Sequence, residues 1–391
     1  MIIYDKLWLD NLLIHQQAEG QLHAGCITPD ENKAIKTAHP VGFNMHSLLA
    51  RVGFGILTFI IVIFSAGLVS LVIFPAFKDG ALYLLPIFLG IGCYAMLETM
   101  VKQKSYFHSG VDEVLLWMSA AYVIGGFIWA VNDYQHQYYA LCSLFSFALS
   151  LYLTIRFADM LMSAVTCVSF LGFVFFVWKN MGSFGIITLP FMMLIASAAV
   201  YIIALQLYRN PIAKYYTGCL VTAQLVGLTM MYASVNYFVV QKLGSQLNHL
   251  PDTAPIPFGF IFWVFTILLP FIYIARGLVK KDIIMLRLGL LLIAAAVFTF
   301  RYYHHILSAE AALTLGGAVI LALTYSIIKY LKAPKFGITY AESNKAHMLD
   351  KLNVEGLIVA QTSPTTPAPP SAPNSRFGGG SFGGGGSSDS F

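Results

Sequence analysis

Residues 49–74 read LARVGFGILTFIIVIFSAGLVSLVIF, and this segment decides the fold class. Its one charged residue is Arg51, which lies close to its start. A helix needs about 20 mainly apolar residues to cross the hydrocarbon core of a bilayer. Because a chain in lipid must satisfy its own backbone hydrogen bonds, an apolar run of this length predicts a transmembrane α-helix.

Nine further segments of the chain have the same apolar character. The sequence therefore predicts an all-α integral membrane protein with ten transmembrane helices. The predicted spans are Leu49–Phe74, Ala81–Met100, Val114–Val131, Tyr138–Ile155, Met160–Val177, Ile186–Leu207, Tyr216–Val239, Phe258–Ile274, Met285–Phe300 and Ala311–Leu331.

The composition supports this fold class and excludes others. Of the 391 residues, 58% are apolar and 10% are charged, whereas a soluble domain carries about 25% charged residues. No basic stretch alternates with aromatic residues, so we expect no nucleic-acid partner. The five cysteines form no CxxC pair, so they are interpreted as packing residues, and we expect neither a metal nor another cofactor.

The distribution of Lys and Arg predicts the orientation of the ten spans. With ten spans, 19 of the 23 basic residues fall in the N-terminal segment, the even-numbered loops and the C-terminal end. Basic residues concentrate on the cytoplasmic side of a membrane protein. We therefore expect both termini in the cytoplasm and place the protein in the cytoplasmic (inner) membrane of a bacterium, with membrane lipid as a partner.

Residues 1–47 are predicted to form a cytoplasmic pair of amphipathic helices ahead of the transmembrane domain, residues 48–332. The first helix is expected over Tyr4–Ala18. For the second, Thr28 is the predicted N-cap, Pro29 suits the first helical position, and Glu31 completes a capping box.

The C-terminal end changes composition twice. Residues 333–360 are predicted to be a cytoplasmic juxtamembrane segment, and residues 361–391 a disordered tail rich in Pro, Gly, Ser and Phe. The tail carries Phe377, Phe382 and Phe391 between glycine runs. Two interpretations stay open: a solvated appendage, or a segment whose spaced phenylalanines bind a cytoplasmic protein partner.

Two ends of the membrane part resemble an uncharacterised bacterial family of predicted multi-pass membrane proteins. The resemblance lies in the capped turn before the first span, in Lys280-Lys281-Asp282, in Leu288-Gly289-Leu290-Leu291, in Arg301-Tyr302, in Gly316-Gly317 and in the bases of Lys329–Lys332. It implies a multi-pass membrane fold with a short N-terminal cytoplasmic helix pair. It implies no catalytic residue, because the biochemistry of that family is unknown.

The middle of every predicted span lacks ionisable residues, which argues against a proton-coupled pump. Uncharged polar residues do occur there, with two interpretations: hydrogen bonds between helices, or a polar lining for a solute path. These residues are Ser163, Thr166, Ser169, Gln224 and Asn236.

A second candidate cluster lies in two short outer loops that are rich in Tyr and His. Its interpretations are an aromatic belt at the membrane interface, a pH-sensing or ligand contact, or a metal site, for which the adjacent pair of histidines is poorly arranged. The candidate residues are Asp133, His136, Arg301, His304, His305 and Glu310.

Two groups of charged residues lie at the cytoplasmic ends of the spans. Asp112 and Glu113 near His108 are interpreted as a solvated helix start rather than an acid–base pair. Arg156 and Asp159, three residues apart, are expected to form a local salt bridge, which is weak when exposed.

No catalytic motif is found, so the sequence indicates a non-enzymatic protein. The first hypothesis is a membrane scaffold, sensor or assembly factor that binds a cytoplasmic protein through the helix pair or the tail. The alternative is a passive or uncoupled transporter or channel for a small or lipidic solute.

Overall fold

The computed structural model describes residues 2–73, 82–131, 138–248, 250–251 and 256–304, with nine further positions between 311 and 329. All of these belong to the first of two units, Met1–Lys345 and Ala346–Phe391. The helices are α1 Lys6–His23, α2 Pro29–Ala38, α3 Leu48–Ile73, α4 Leu84–Lys104, α5 Val111–Val131, α6 Tyr138–Phe157, α7 Met160–Lys179, α8 Ser183–Tyr208, the 3-10 helix Pro211–Tyr216, α9 Thr217–Ala233, α10 Tyr237–Asn248, α11 Gly259–Lys280 and α12 Ile283–His304.

The predicted multi-pass, all-helical fold is confirmed for the described residues, which form helices and no β-strand. Eight of the helices, α3 to α8, α11 and α12, are long and apolar enough to cross a membrane. The number rises to nine if a bent pair of helices counts as one span. Most of the tenth predicted span lies outside the described residues, so the count of ten stays a prediction.

The seventh predicted span, Tyr216–Val239, is not a single helix. Helix α9 ends at Ala233, and α10 starts at Tyr237 with its axis turned by 71°. Hydropathy did not reveal this break, because apolar residues continue on both sides of it.

The N-terminal helix pair forms as its capping residues require. Asp5 accepts hydrogen bonds from the amides of Leu7 and Trp8 and starts α1, which runs five residues beyond its predicted end. The capping box at α2 is confirmed: the amide of Thr28 donates to Glu31 Oε2 at 2.8 Å, and Thr28 Oγ1 accepts from the Glu31 amide at 3.3 Å.

The pair packs against one end of the membrane helices, which we call the N-terminal face. The amide of Ile3 donates to the carbonyl of Arg156 at 3.0 Å, and Asp10 binds Lys214 at 2.5 Å. The side chain of Tyr4 is buried among the ends of α4 to α7. Burial, together with nearby carboxylates, raises the pKa of the Tyr4 hydroxyl well above its ordinary value.

Four pairs of consecutive helices pack closely, namely α4 with α5, α6 with α7, α8 with α9 and α11 with α12. Glycines permit the close approach in several of these pairs. A Cβ atom at Gly90 of α4 would lie 2.6 Å from Val123 of α5. At Gly227 of α9 it would lie 3.0 Å from the backbone nitrogen of Tyr201 in α8. At Gly289 of α12 it would lie 2.7 Å from Ile274 of α11.

Helix α3 stands at the periphery of the bundle. Ala66 is its one buried residue, although it is the most hydrophobic of the eight candidate spans. A helix that is apolar all round and yet exposed within the protein is suited to lipid. Its firm attachment is near its start, where Arg51 bonds to Glu113 of α5.

Candidate functional site

The break between α9 and α10 is built from residues 234–236 and closed by hydrogen bonds. Oδ1 of Asn236 accepts from the amides of Phe238 at 3.0 Å and Val239 at 3.3 Å, which makes Asn236 the N-cap of α10. The amide of Tyr237 donates to Oγ1 of Thr266 in α11 at 2.8 Å. The first backbone donors of α10 are therefore satisfied inside the helical bundle, as a low-dielectric interior requires.

Asn236 also ties the break to a third helix. Its Nδ2 donates to the hydroxyl of Tyr232 at 3.0 Å and to Oγ1 of Thr299 in α12 at 3.1 Å. Asn236 and Thr299 are 4% and 2% exposed. A buried polar group keeps its geometry when each partner is bonded, so this network fixes the direction in which α10 leaves α9.

A cleft of about 330 Å³ lies beside the break, between α8, α10 and α11. Ligand pockets in proteins begin at about 300 Å³, so the cleft is large enough for a small molecule. The described lining residues carry no formal charge, and they are Ile186, Ile187, Leu189, Pro190, Met193, Ser234, Val239, Val240, Gln241, Leu243, Gly244, Ser245, Leu247, Asn248, Leu250, Ile256, Pro257 and Phe262.

The few polar groups of the cleft come from α10, from the break and from α8. Gln241 and Ser245 are buried and lie one helical turn apart. Ser234 lies in the break, and its hydroxyl donates to the carbonyl of Met231 at 2.9 Å. Pro190 has no N–H, so the carbonyl of Ile186 has lost its helical donor. The cleft thus offers mainly hydrogen-bond acceptors on an apolar wall.

Aromatic rings surround the other side of the break. The rings of Tyr237 and Trp263 stack with centroids 4.7 Å apart, and Tyr303 meets Tyr237 edge-on at 5.0 Å. Phe238 and Tyr302 make a similar edge contact at 4.9 Å. Rings that pack edge-to-face stabilise one another, so this group of five rigidifies the end of the bundle that is farthest from the N-terminal face.

The first charged cluster at the N-terminal face is buried, contrary to the expected solvated helix start. Asp112 and Glu113 are 4% and 8% exposed. Glu113 binds Arg51 and lies 2.8 Å from Nδ1 of His108. Asp112 accepts from the amides of His108 and Ser109, both at 2.9 Å. These bonds explain the burial, because carboxylates enter a bundle only when their charge is paired or hydrogen-bonded.

The prediction of a salt bridge between Arg156 and Asp159 is wrong. Arg156 instead binds Glu98 of α4, with Nε at 3.0 Å. Asp159 caps α7 by accepting from the amide of Met162 at 2.8 Å and also accepts from Nε1 of Trp117 at 3.2 Å. Burial raises the pKa of Asp159 above its ordinary value. Both acids thus join helices that are far apart in sequence.

The predicted polar residues lie at helix contacts, and none of them lines the cleft. Oγ of Ser163 donates to the carbonyl of Cys219 in α9 at 2.8 Å. Oγ1 of Thr166 donates to the carbonyl of Met162 at 2.7 Å and lies 3.2 Å from Oγ1 of Thr154. Gln224 is buried, Ser169 is half-buried, and Asn236 holds the break. A solute path along these residues stays a prediction.

Most of the predicted outer cluster lies outside the described residues. Asp133, His136, His305 and Glu310 belong to that part of the chain, as do Phe377, Phe382 and Phe391 of the tail. Arg301 is half-buried on α12, and His304 is its last residue. Their roles stay predictions. No group of three or more His, Cys, Asp or Glu residues is arranged to hold a metal ion in the part of the chain that the structure describes.

Sequence reasoning missed the cleft and its polar residues Gln241 and Ser245. A signal was present, because Tyr237–Asn248 has a polar face, unlike the uniformly apolar spans around it. Asn236 before that segment is a favoured N-cap. Neither signal locates the opposite wall of the cleft on α8, more than 40 residues away along the chain.

Neither a protein-family model, nor a curated protein, nor a solved structure matches this chain.

Proposed function

We propose that this multi-pass membrane protein binds a small uncharged amphiphile in the cleft and lets it pass without coupling to ions. The observation that carries the proposal is the position of the cleft beside a helix that breaks inside the bundle. Transport proteins place their binding sites at discontinuous helices, where backbone groups and polar side chains are available at depth.

The lining indicates the class of ligand. An apolar wall with a few hydroxyl and amide groups suits a neutral molecule with one or two hydrogen-bond donors. A charged solute would lose its hydration without gaining a partner, because the described lining carries no charge. The lack of ionisable residues in the middle of the predicted spans likewise supports uncoupled passage over proton coupling.

We place the protein in the bacterial cytoplasmic membrane, with the N-terminal face toward the cytoplasm. The asymmetry of Lys and Arg supports this orientation. Membership of the uncharacterised bacterial family remains part of the proposal and rests on the motifs quoted above. Cysteines introduced at Lys33 and Lys179 would test the orientation: a membrane-impermeant maleimide should label only the latter in intact cells.

A matched pair of glycine substitutions tests the cleft. Gly244→Leu would fill it, since a Cβ there lies 3.7 Å from Ile256 across the cleft. Gly92→Leu is the control, because a Cβ there meets nothing within 4 Å. Both replace a helical glycine by the same side chain.

The readouts are thermal unfolding of the detergent-solubilised chain with octanol, indole or glycerol, and glycerol-driven swelling of reconstituted liposomes. The native protein and the Gly92→Leu variant should be stabilised by a ligand, by about 2.7 kcal/mol at 100 times Kd, and should accelerate swelling. Gly244→Leu should do neither. Equal behaviour of the two variants, or no response of the native protein, would contradict the proposal.

A scaffold or assembly factor is the second candidate. It is favoured by the firm attachment of the N-terminal helix pair, which presents α2 with seven of its ten residues exposed. A cytoplasmic protein partner would bind this surface or the tail. A detergent pull-down should compare the full chain with one truncated after Ala360. Capture of the same specific partner by the full chain alone would support the tail, and recovery of both forms without partners would reject this candidate.

A further inference from the structure

Two groups of basic residues on the N-terminal face differ in their partners. In the first group, each base binds a carboxylate of the chain itself. The pairs are Arg51–Glu113, Lys102–Glu98, Arg156–Glu98 and Lys214–Asp10. In the second group, no ion pair forms among the described residues. Its members are Arg209, Arg276, Lys280 and Lys281, which are exposed.

The second group lies where α8, α11 and α12 meet. Tyr201 of α8 contacts the sulfur of Met285 in α12 at 3.8 Å. Arg209 is the C-cap of α8, and Lys281 is the C-cap of α11, one turn beyond Arg276. Helices α11 and α12 touch here, since a Cβ at Gly277 would lie 2.9 Å from the amide nitrogen of Leu286. The four bases therefore share one region of the face.

The neighbouring carboxylate does not neutralise this group. Oδ1 of Asp282 accepts from the amides of Ile284 at 3.0 Å and Met285 at 3.3 Å, so it serves as the N-cap of α12. Among the described residues of this region, the four bases thus exceed the one carboxylate, which is hydrogen-bonded to backbone amides. The general excess of Lys and Arg on the cytoplasmic side of membrane proteins explains why basic residues lie on this face. It does not explain why these four exposed bases lie together without an ion-pair partner among the described residues.

Exposed apolar side chains adjoin these bases. Ile212 is 83% exposed, Val279 65%, Leu207 44% and Ile272 43%. Val279 precedes Lys280, and Leu207 lies two residues before Arg209. A ligand that satisfies both features has an anionic head and a hydrocarbon body. An inorganic anion would use the bases alone, and the apolar rim would gain nothing from it.

We propose that Arg209, Arg276, Lys280 and Lys281 bind the phosphodiester headgroup of an anionic phospholipid, with its acyl chains along the exposed apolar residues of α8 and α11. Basic pockets between helices at the cytoplasmic side of a membrane attract such headgroups. This site is separate from the cleft, which opens among residues near the other end of α8 and α11. Failure of either proposal leaves the other intact.

The test titrates fluorescent phosphatidylglycerol into the full-length chain in a neutral detergent. The test variant is the triple substitution Arg276→Gln, Lys280→Gln, Lys281→Gln. The control variant is Lys6→Gln, Lys33→Gln, Lys104→Gln, which removes the same charge from exposed bases elsewhere on this side. A base near an anionic lipid contributes about fivefold in affinity, so the test variant should bind at least tenfold more weakly than the native chain.

The control variant should bind like the native chain, and so should the charge-retaining variant Arg276→Lys, Lys280→Arg, Lys281→Arg, which guards against misfolding. Unlabelled phosphatidylglycerol should displace the probe, whereas phosphatidylcholine and inorganic phosphate should not. Three results would overturn the proposal: equal loss of binding in the test and control variants, equal displacement by phosphatidylcholine, or displacement by inorganic phosphate alone.

Discussion

Replacing Asn236 by Ala should destabilise the broken helix by an amount that the contacts of this side chain predict. The substitution removes the N-cap of α10, which contributes about 1 kcal/mol. It also removes two hydrogen bonds, to Tyr232 and Thr299, which contribute about 0.6 kcal/mol each inside a membrane bundle. The free energy of unfolding should therefore fall by about 2 kcal/mol.

Two further variants separate these terms. Asn236→Ser keeps a capping oxygen and loses the reach to Thr299, so it should cost about 1 kcal/mol. Asn248→Ala is the control. Asn248 lies at the exposed end of α10 and donates to the carbonyl of Gly244 in its own helix, so its loss should change stability by less than about 0.5 kcal/mol.

The assay is equilibrium unfolding in mixed micelles of a mild detergent and dodecyl sulfate, followed by circular dichroism. A loss at Asn236→Ala no larger than that at Asn248→Ala would refute the reasoning, because the break would then be held by something other than this residue. Equal losses for Ala and Ser would refute the assigned capping role alone.

Three further perturbations test the packing and electrostatics. Gly227→Val should lower the free energy of unfolding by about 1–3 kcal/mol through overpacking against α8. The same change at the open position Gly92 should alter it by less than about 0.5 kcal/mol. Chemical unfolding measures both. Glu98→Gln should cost about 1–2 kcal/mol by weakening the bond to its arginine on α6, seen as a lower unfolding midpoint. The folded-state pKa of Asp159 is raised, so its contribution to stability is present at low pH and is lost as pH rises through that pKa. Asp159→Asn should therefore gain stability relative to the native chain as pH rises. Asp10→Asn should instead lose stability relative to the native chain as pH rises, because the bond of Asp10 to a lysine lowers its pKa. Thermal unfolding measured across pH checks both signs.

The eight candidate spans among the described residues were predictable because each rests on a local property of the chain. The first span was expected over Leu49–Phe74 and is found over Leu48–Ile73, since a continuous apolar run fixes its own length. The start of α2 was predictable for the same reason: the residues of its capping box are three positions apart in sequence and in space.

The charged contacts and the cleft were not predictable from one sequence, since they join residues that are distant along the chain. Spacing alone favoured Asp159 as the partner of Arg156, whereas the fold brings up Glu98, which lies 58 positions away. Hydropathy did not reveal the break at Asn236, because apolar residues continue on both sides of it. The residues that hold the break, Thr266 and Thr299, belong to α11 and α12 and are distant along the chain.

The attachment of the N-terminal helix pair has a consequence for biosynthesis. Asp10 binds Lys214, so about 200 residues must follow it before this contact is possible. At 5–20 residues per second this takes on the order of 10–40 s. Until then α1 lacks its bond to Lys214, although Tyr4 and Leu9 are buried mainly against α4 to α7, which are synthesised earlier. The contact therefore forms only after the six membrane helices α3 to α8 have been synthesised, so α1 is fully docked no earlier than that point.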